Sequence, residues 1–322
     1  MNGRRRTAAL AMALATSIVG SSACSSGGAG AGAPYHPCAD DVRVGVFAVD
    51  LKPELNGGAP YAQVNGIVRD GVDPKDVWQE VARDGSCRVL VGPTLACAPA
   101  CGTGMVCRAG GCAPAPAAHA VGAVNVTGLA VPLTITPNAT NSTYYGPIPS
   151  GTAYPPYTPG AVVAIDAEGG DYTAFEIEAR GVAPLVVPEP QTLAIATSVA
   201  NGPLVVRWTA VENSAAGRMR LSLDIAHHAG IAAELRCEVA DTGAATIPGR
   251  LLDALVARGT AGFPEIVLTR VSAGSTTLAP GCVELDVASS VPRQLTVEGV
   301  TSCTQDEECA APQICRPELK CG

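Results

Sequence analysis

The cysteines of this 322-residue chain are its most conspicuous chemical groups, because thirteen are present and several stand at short, regular intervals. The last segment, CTQDEECAAPQICRPELKCG, begins at Cys303 and holds four of them with five residues in every gap. Cysteine side chains either join as disulfides or bind a metal as thiolates. A segment so short and polar cannot bury a core, so one of these two kinds of link must hold it together.

A second cysteine-rich segment, CAPACGTGMVCRAGGC, runs from 97 to 112 and is a degenerate repeat of the first. GMVCRAGGC and PQICRPELKC share an aliphatic residue, Cys, Arg and a later Cys. Structural zinc sites favour about two to four residues between paired ligands, a spacing that the first segment allows and the last does not. We therefore expect disulfides, and neither a metal nor a cofactor, at Cys97, Cys101, Cys107, Cys112, Cys303, Cys309, Cys315 and Cys321.

The remaining cysteines also fall into even groups once Cys24 is set aside. Cys38 and Cys87 make an even group with the first cysteine-rich segment, so each group is predicted to pair internally. Cys237 and Cys282 lie on separate predicted strands and are expected to bond to each other. Closing that loop would stabilise the fold by on the order of 4 kcal/mol in the chain-entropy treatment.

Asp241 begins the sequence Asp-Thr-Gly within VADTGAATIP. This motif resembles the signature of aspartic proteases, above all the retroviral-like form, in which two carboxylates share a proton and activate water. A homodimer would have to supply the second aspartate, because the chain has one such motif. The aliphatic-aliphatic-Gly element that normally packs behind the motif is missing downstream. The alternative, which we favour, is a strand that ends in an Asx-type turn.

Two further groups of polar residues have the composition of metal or acid–base sites. One lies in DIAHH, where adjacent histidines on extended chain would point to opposite faces, which favours a solvated strand end. The other lies in DAEGGD, which could bind calcium weakly or form an acidic hairpin tip, and we favour the tip. The residues concerned are Asp224, His227, His228, Asp166, Glu168 and Asp171.

Four tyrosines crowd the Pro- and Gly-rich stretch YYGPIPSGTAYPPYTPG, although the chain is only 4% aromatic. Such a loop is expected at the surface, and exposed tyrosines in rigid loops suit the recognition of glycans or proteins. Either the rings form a ligand surface or they pack the loop against the rim of the fold. If the protein binds a ligand, the predicted contacts are Tyr144, Tyr145, Tyr154 and Tyr157.

The N-terminus has the pattern of an export signal, with three arginines followed by the apolar stretch TAALAMALATSIVG. Residues 1–23 are predicted to be this signal. The sequence SSAC, ending at Cys24, suits ordinary signal-peptidase cleavage. It also resembles a lipobox, whose cysteine is acylated, although Ser21 stands where an aliphatic residue is usual. The odd number of cysteines and the Gly- and Ser-rich tether that follows, predicted over 24–37, both favour acylation of Cys24.

The charge balance is acidic, with 29 Asp and Glu against 21 Lys and Arg. Loss of the three signal arginines leaves 18 basic residues and makes the balance more acidic still. An acidic surface disfavours electrostatic binding to nucleic acid, so nucleic acid is not an expected partner. The high cysteine content indicates an oxidising compartment outside the cytoplasm.

The elements that must position these residues read mostly as β-strands, including VRVGVFAVDL, YAQVNGIV and LVVRWTAV. We predict an all-β fold with a small β-rich domain over 38–96 and a larger Ig-like or jelly-roll sandwich over 119–300. Cysteine modules over 97–118 and 301–322 follow these two domains. Trp208 is expected in the core, and short helices are predicted within DPKDVWQEVARDG and IPGRLLDALVARG.

The cysteine at 24, the tether and the two cysteine modules together make the chain resemble the cysteine-rich surface lipoproteins of the myxobacterial type. The resemblance implies a non-enzymatic lipoprotein of the outer membrane, with Ser25 after the acylated cysteine, and a binding, adhesive or structural role. Its partners would be the membrane, through the lipid, and a glycan or protein at the cell surface. A secreted or periplasmic protein is the alternative location, and a hydrolase acting through Asp241 is the alternative function.

Overall fold

A computed structural model describes the part of the chain that folds as one compact unit within 32–322. The residues it describes are 35–53, 58–93, 97–108, 110–149, 151–188, 192–195, 202–211, 217–226 and 233–322. The predicted signal, Cys24, most of the predicted tether, His227 and His228 lie outside these residues. None of the described helices combines the length and the hydropathy that a membrane span requires.

The described chain is almost entirely β-structure, as the alternating sequence predicts. The first nine strands are β1 (Arg43–Lys52), β2 (Tyr61–Val68), β3 (Gln79–Asp84), β4 (Cys87–Val91), β5 (Met105–Arg108), β6 (Gly111–Pro114), β7 (Val124–Thr127), β8 (Leu133–Ile135) and β9 (Tyr144–Pro147). The others are β10 (Val162–Ala167), β11 (Phe175–Arg180), β12 (Thr192–Ile195), β13 (Leu204–Arg207), β14 (Arg218–Asp224), β15 (Ala233–Ala240), β16 (Ala244–Ile247), β17 (Glu265–Thr277) and β18 (Cys282–Val297). The all-β prediction is confirmed.

A long hairpin of β17 and β18 forms the centre of a ten-stranded sheet. The strand order is β3-β4-β15-β14-β17-β18-β1-β2-β9, and β12 adds to β18. One half of the hairpin pairs with β14, and the other half pairs with β1 in parallel. The hairpin therefore connects the part of the sheet that contains β14 with the part that contains β1.

Two hydrophobic cores lie on the same face of this sheet, which we call the inner face. The first core contains Phe47, Val64 and Leu285, and it is closed by the four-stranded sheet β11-β10-β7-β8. The second contains Leu221 and Leu268, and the small sheet β13-β16 and the helix α1 (Gly249–Val256) contribute to it. The opposite face of the large sheet, the outer face, carries mostly polar side chains.

The hairpin approaches the second layer very closely at Gly274. A Cβ atom added there would lie 1.9 Å from the carbonyl oxygen of Glu178 in β11. A larger residue at 274 would therefore push β11 away from the large sheet, which explains the glycine within this long strand.

The predicted division into a 38–96 domain and a 119–300 sandwich is wrong. β1 from the first segment pairs with β18 from the second, and β4 pairs with β15. Each core is consequently built from both segments. The physical reason is that the early strands have an apolar face, and the four-stranded sheet that covers it in the first core comes from the later segment.

The two predicted helices have different outcomes. α1 forms as predicted and buries Leu251, Leu252 and Leu255. The other segment forms only a 3₁₀ turn at Pro74–Asp76, with Asp73 as its N-cap, and then continues as β3. Gly85 turns the chain at φ +56° between β3 and β4. Sheet pairing with β4 prevails there over local helix propensity.

All twelve cysteines of the described residues form disulfides, but two pairs differ from the prediction. Cys38 bonds to Cys282, and Cys87 bonds to Cys237. The predicted bond between Cys237 and Cys282 is wrong, because β15 and β18 are separated in the sheet by β14 and β17. Each of these cysteines instead meets one from the N-terminal segment.

The two cysteine modules have the same interlaced connectivity, first to third and second to fourth. The pairs are Cys97–Cys107, Cys101–Cys112, Cys303–Cys315 and Cys309–Cys321. In both modules the last two cysteines face each other as β-partners. The sequence repeat is thus also a structural repeat, and pairing within each module is confirmed.

Candidate functional site

Asp241 lies on the inner face, at the end of β15, and is only 7% exposed. Its carboxylate accepts a 2.6 Å hydrogen bond from the indole Nε1 of Trp208 and a 2.7 Å bond from Nε of Arg270. Trp208 is itself buried, as predicted. Both oxygens of Asp241 are therefore held by neighbouring side chains of the same fold.

The guanidinium of Arg270 is as fully engaged as the carboxylate that it faces. It also donates to the carbonyl oxygens of Thr209, Ala183 and Pro184, at 2.6, 3.2 and 3.1 Å. The two side chains are 3% and 0% exposed. We call Asp241 and Arg270 the inner pair, and its geometry is that of a structural joint, with the strand-and-turn interpretation of Asp-Thr-Gly favoured over a catalytic one.

The four predicted contact tyrosines do not form one surface. Tyr144 is 1% exposed and Tyr157 is 6% exposed, so both belong to the first core. Tyr154 is half-buried and packs against the same core. Only Tyr145 is well exposed, at 64%. The prediction of a four-tyrosine surface is wrong for Tyr144 and Tyr157.

The alternation of β9 explains this separation. Tyr144 points inward, where its ring packs 5.3 Å from that of Phe47. Its hydroxyl accepts a bond from the amide of Val121 and donates to the carbonyl of Gly122, at 2.7 and 3.0 Å. The next residue, Tyr145, must point to the outer face because successive side chains in a strand alternate.

Tyr145 has a partner that the sequence reasoning missed. Of the seven tyrosines, all of which the structure describes, Tyr61 and Tyr145 are more than half exposed. Tyr61 begins β2, and Asn65 of the same strand lies directly opposite Tyr145. The alternation in YAQVNGIV, with Tyr61, Gln63 and Asn65 on one side, is the signal that could have found this surface.

The surface continues onto β1, where Lys52 lies opposite Tyr61 and Asp50 lies opposite Gln63. Paired residues of neighbouring strands point to the same side of the sheet. The amide of Asn65 donates to Asp50 at 3.1 Å, and the ammonium of Lys52 lies 3.4 Å from the same carboxylate. We call this group the outer strip, and it consists of Asp50, Lys52, Tyr61, Gln63, Asn65 and Tyr145.

A second feature of the outer face is the segment 35–41, which we call the strap. It lies against the sheet where β17 and β18 are exposed beyond β14. The amide of His36 donates to the carbonyl of Ala273 at 3.0 Å, and the amide of Cys38 donates to Glu284 at 2.6 Å. The bond from Cys38 to Cys282 fixes it covalently. Residues 35–37 are thus attached to the body, contrary to their predicted place in the tether.

The strap begins at a cluster of polar and charged side chains, the outer cluster, formed by Tyr35, Arg220, Glu238, Glu284 and Asp286. Arg220 donates to the Tyr35 hydroxyl at 2.9 and 3.1 Å, to Asp286 at 2.8 Å and to Glu284 at 3.2 Å. Tyr35 in turn donates to Glu238 at 2.9 Å. One guanidinium therefore serves several acceptors, and the cluster has an excess of carboxylates.

This excess changes the proton affinity of the cluster. Burial, reinforced by the adjacent Asp286 and opposed by Arg220, raises the pKa of Glu284 to about 7. Burial alone would lower the pKa of Arg220, but Asp286 and Tyr35 raise it above its ordinary value. Arg220 thus stays charged, and Glu284 is the group that changes its protonation near neutral pH.

The remaining acidic candidates take part in local turns. Asp171 accepts from the amide of Ala120 at 3.1 Å and lies 3.1 Å from Nδ1 of His119. Asp166 and Glu168 lie on and just after β10. Asp224 accepts from the amide of Ala226 at 2.9 Å. These contacts favour the hairpin-tip and strand-end interpretations.

Two sets of three sulfur atoms lie close together, within 4.8 Å, and could in principle hold a metal. They belong to the two cysteine modules: Cys97, Cys101 and Cys112, and Cys303, Cys309 and Cys321. Each of these sulfurs is bonded to another sulfur in this structure. A disulfide has no thiolate to offer, so the proximity follows from the interlaced pairing.

No protein-family model matches the chain, and no curated protein matches it either. Among solved structures, the chain is similar to the crystal structure of the chicken CNTN1 FN1-FN3 domains, with 8% sequence identity. The match covers 71% of this chain and 71% of that chain, at a TM-score of 0.18. A similarity this low supports no argument about function, so the proposals below depend on the residues of this chain.

Proposed function

We propose that this protein is a non-enzymatic lipoprotein of the cell surface, anchored through an acylated Cys24, with a binding, adhesive or structural role. The observation that carries the proposal is the strap. Within the strap, Cys38 is fixed to the large sheet by its disulfide to Cys282 and by the hydrogen bond from its amide to Glu284.

This attachment suits a body that is held by its N-terminal side. A pull on the residues before the strap meets a covalent bond to β18, which is central in the large sheet. The hydrogen bonds of β1, which begins at Arg43, are thereby protected from being separated one after another.

The disulfides support the compartment. Six disulfides place the folded protein in an oxidising space outside the cytoplasm. Anchoring in the outer membrane is the finer part of the proposal. It is supported by the lipobox-like sequence before Cys24 and by the even number of cysteines that remains.

A non-enzymatic role is supported by the hydrogen bonding of Asp241, the strongest catalytic candidate. Both oxygens of Asp241 are occupied by Trp208 and Arg270, and a second copy of the chain could reach this carboxylate only by displacing a buried ion pair. The outer strip, by contrast, offers two exposed rings with polar groups between them, which is the composition of a binding surface.

The experiment compares the natively expressed protein with a Cys24→Ala variant by membrane fractionation and by protease treatment of intact cells. We expect the wild type in the outer-membrane fraction and accessible to external protease, and the variant released from the membrane. Ser25→Ala is the matched control and should fractionate as the wild type does. Wild-type protein that is soluble, or that fractionates identically with the variant, would refute the anchor.

A further inference from the structure

We infer that the outer strip binds an uncharged polysaccharide, with the rings of Tyr61 and Tyr145 stacked on sugar rings and the side chains of Gln63 and Asn65 bonded to hydroxyl groups. This inference rests on the binding role in the proposed function and names the class of ligand. Four properties of the strip support it: its exposure, its spacing, its charge and its area.

The two aromatic rings of the strip are exposed to solvent. Tyr61 and Tyr145 are 54% and 64% exposed, while the other large aromatic side chains of the described residues are more buried. An exposed tyrosine ring does not contribute the free energy that its burial would give. Two such rings on adjacent strands form one surface patch, which is less common on a soluble protein than a single exposed ring. A sugar ring has an apolar C–H face, and an exposed aromatic ring is its natural complement.

The spacing of the strip suits an extended chain. Tyr61 and the neighbour of Tyr145, Asn65, are four residues apart on β2, which is about 13 Å along the strand. Gln63 lies between them on the same face, and the gap is therefore lined with carboxamides. A carboxamide both donates and accepts hydrogen bonds, as a sugar hydroxyl does.

The charge of the strip favours a neutral ligand. Its one carboxylate, Asp50, is balanced by the ammonium of Lys52 at 3.4 Å and also accepts a bond from Asn65. The strip is thus electrically balanced within a chain whose formal net charge is −8. An anionic polysaccharide would gain no attraction here and would be repelled by the acidic surface around it.

The area favours a chain over a folded protein. The strip spans three strands about 4.8 Å apart and about 13 Å of strand length, or on the order of 150 Å². A stable protein interface buries about 800 Å² on each partner. The strip is too small to anchor a protein by itself, but a single polysaccharide chain can lie along it. β9 is the last strand at this end of the sheet, so among the described residues no further strand pairs beyond Tyr145.

The test is affinity electrophoresis of the purified full chain in native gels that contain hydroxyethyl cellulose, galactomannan or dextran, with alginate as the anionic comparison. We expect retardation by at least one neutral polymer, unchanged in 1 M salt. Tyr145→Ala and Tyr61→Ala should each weaken binding by about tenfold, since truncating a central aromatic contact has effects of this size. Tyr145→Phe should retain binding because the ring is kept.

Val205→Ala, at an exposed position on β13, is the control and should bind as the wild type does. Three results would overturn the inference: no retardation in any neutral gel, retardation that survives the Tyr61 and Tyr145 double substitution, or retardation by alginate alone. Because the protein is purified, these outcomes do not depend on where the cell places it. The two proposals can therefore fail separately. Wild-type protein outside the membrane fraction would refute the anchor even if the gels show binding, and absence of retardation would refute the polysaccharide site even if the protein is anchored.

Discussion

Two clusters of arginine and carboxylate lie on opposite faces of the same sheet and differ in almost every physical respect. The inner pair matches one arginine with one carboxylate, both buried, and backbone carbonyls accept the remaining donors. The outer cluster gives Arg220 three carboxylate partners and a tyrosine hydroxyl, with its side chain 30% exposed.

The difference shows what each face is for. A balanced, fully bonded pair has a single low-energy arrangement, and the inner pair accordingly joins the two cores through Trp208 and the chain around Ala183. An unbalanced, half-open cluster can respond to pH and can hold a separate segment of chain. The inner face is thus committed to the fold, and the outer face holds the strap and the outer strip.

The largest expected effect is the loss of the inner pair. Asp241→Ala would leave the buried Arg270 without a counter-charge and should lower the free energy of unfolding by about 3–5 kcal/mol. Urea unfolding followed by tryptophan fluorescence measures this loss. The matched outer variant, Asp286→Ala, leaves Arg220 bonded to Glu284 and should lose only about 1 kcal/mol. Equal losses would erase the distinction between the two faces.

The next effect concerns the strap. Replacing both Cys38 and Cys282 with serine should lower the free energy of unfolding by about 2–4 kcal/mol and expose the strap to proteolysis. The loop that this bond closes is long, because its cysteines are 244 positions apart, whereas Cys97 and Cys107 are 10 positions apart. The Cys97→Ser, Cys107→Ser variant should therefore lose less. A larger loss in that control would contradict the importance given to the strap.

A smaller effect should appear as a dependence on pH. The pKa of Glu284 is raised from 4.5 to about 7 on folding, so the folded state binds more protons between these values. Stability should then fall as pH rises from about 4.5 to 7, by on the order of 3 kcal/mol from this group.

Glu284→Gln keeps the acceptor for the amide of Cys38 and cannot ionise, so its stability should vary less over this range. The exposed Glu176→Gln serves as the control and should follow the wild-type profile. Parallel profiles for wild type and Glu284→Gln in thermal unfolding would show that Glu284 is not the titrating group.

The smallest effect distinguishes two neighbouring tyrosines. Tyr144→Phe leaves the amide of Val121 without its acceptor and should lower the free energy of unfolding by about 1–2 kcal/mol. Tyr145→Phe should change it by no more than about 0.5 kcal/mol, because this side chain is exposed on the outer face. Denaturant titration of both variants under one condition makes the comparison. Equal effects would place Tyr145 in the fold rather than on a binding surface.

Much of the fold follows from the sequence, because alternation in the strands and the buried face of α1 are local patterns. The interlaced modules also follow in part, since a short polar segment must be held by its own cysteines. The pairing of Cys38 with Cys282 does not follow, because it depends on β1 lying beside β18 across 244 residues of sequence separation.

The candidate surfaces were harder to predict for the same reason. The number of tyrosines in a loop does not show on which face of an edge strand each ring lies. Tyr144 and Tyr145 lie on opposite faces. Tyr61 lies far from them in sequence and joins Tyr145 only through the pairing of β2 with β9. In the sequence, Glu284 looks like an ordinary strand residue, and only the structure shows that the strap covers it.

The intact mass of the natively expressed protein tests the central claim, that this body is displayed from an N-terminal anchor, most directly. We predict a chain that begins at Cys24, carries the added mass of acyl groups and retains six disulfides in its other twelve cysteines. A mature chain that begins elsewhere, or that carries an unmodified Cys24, would contradict the anchored role.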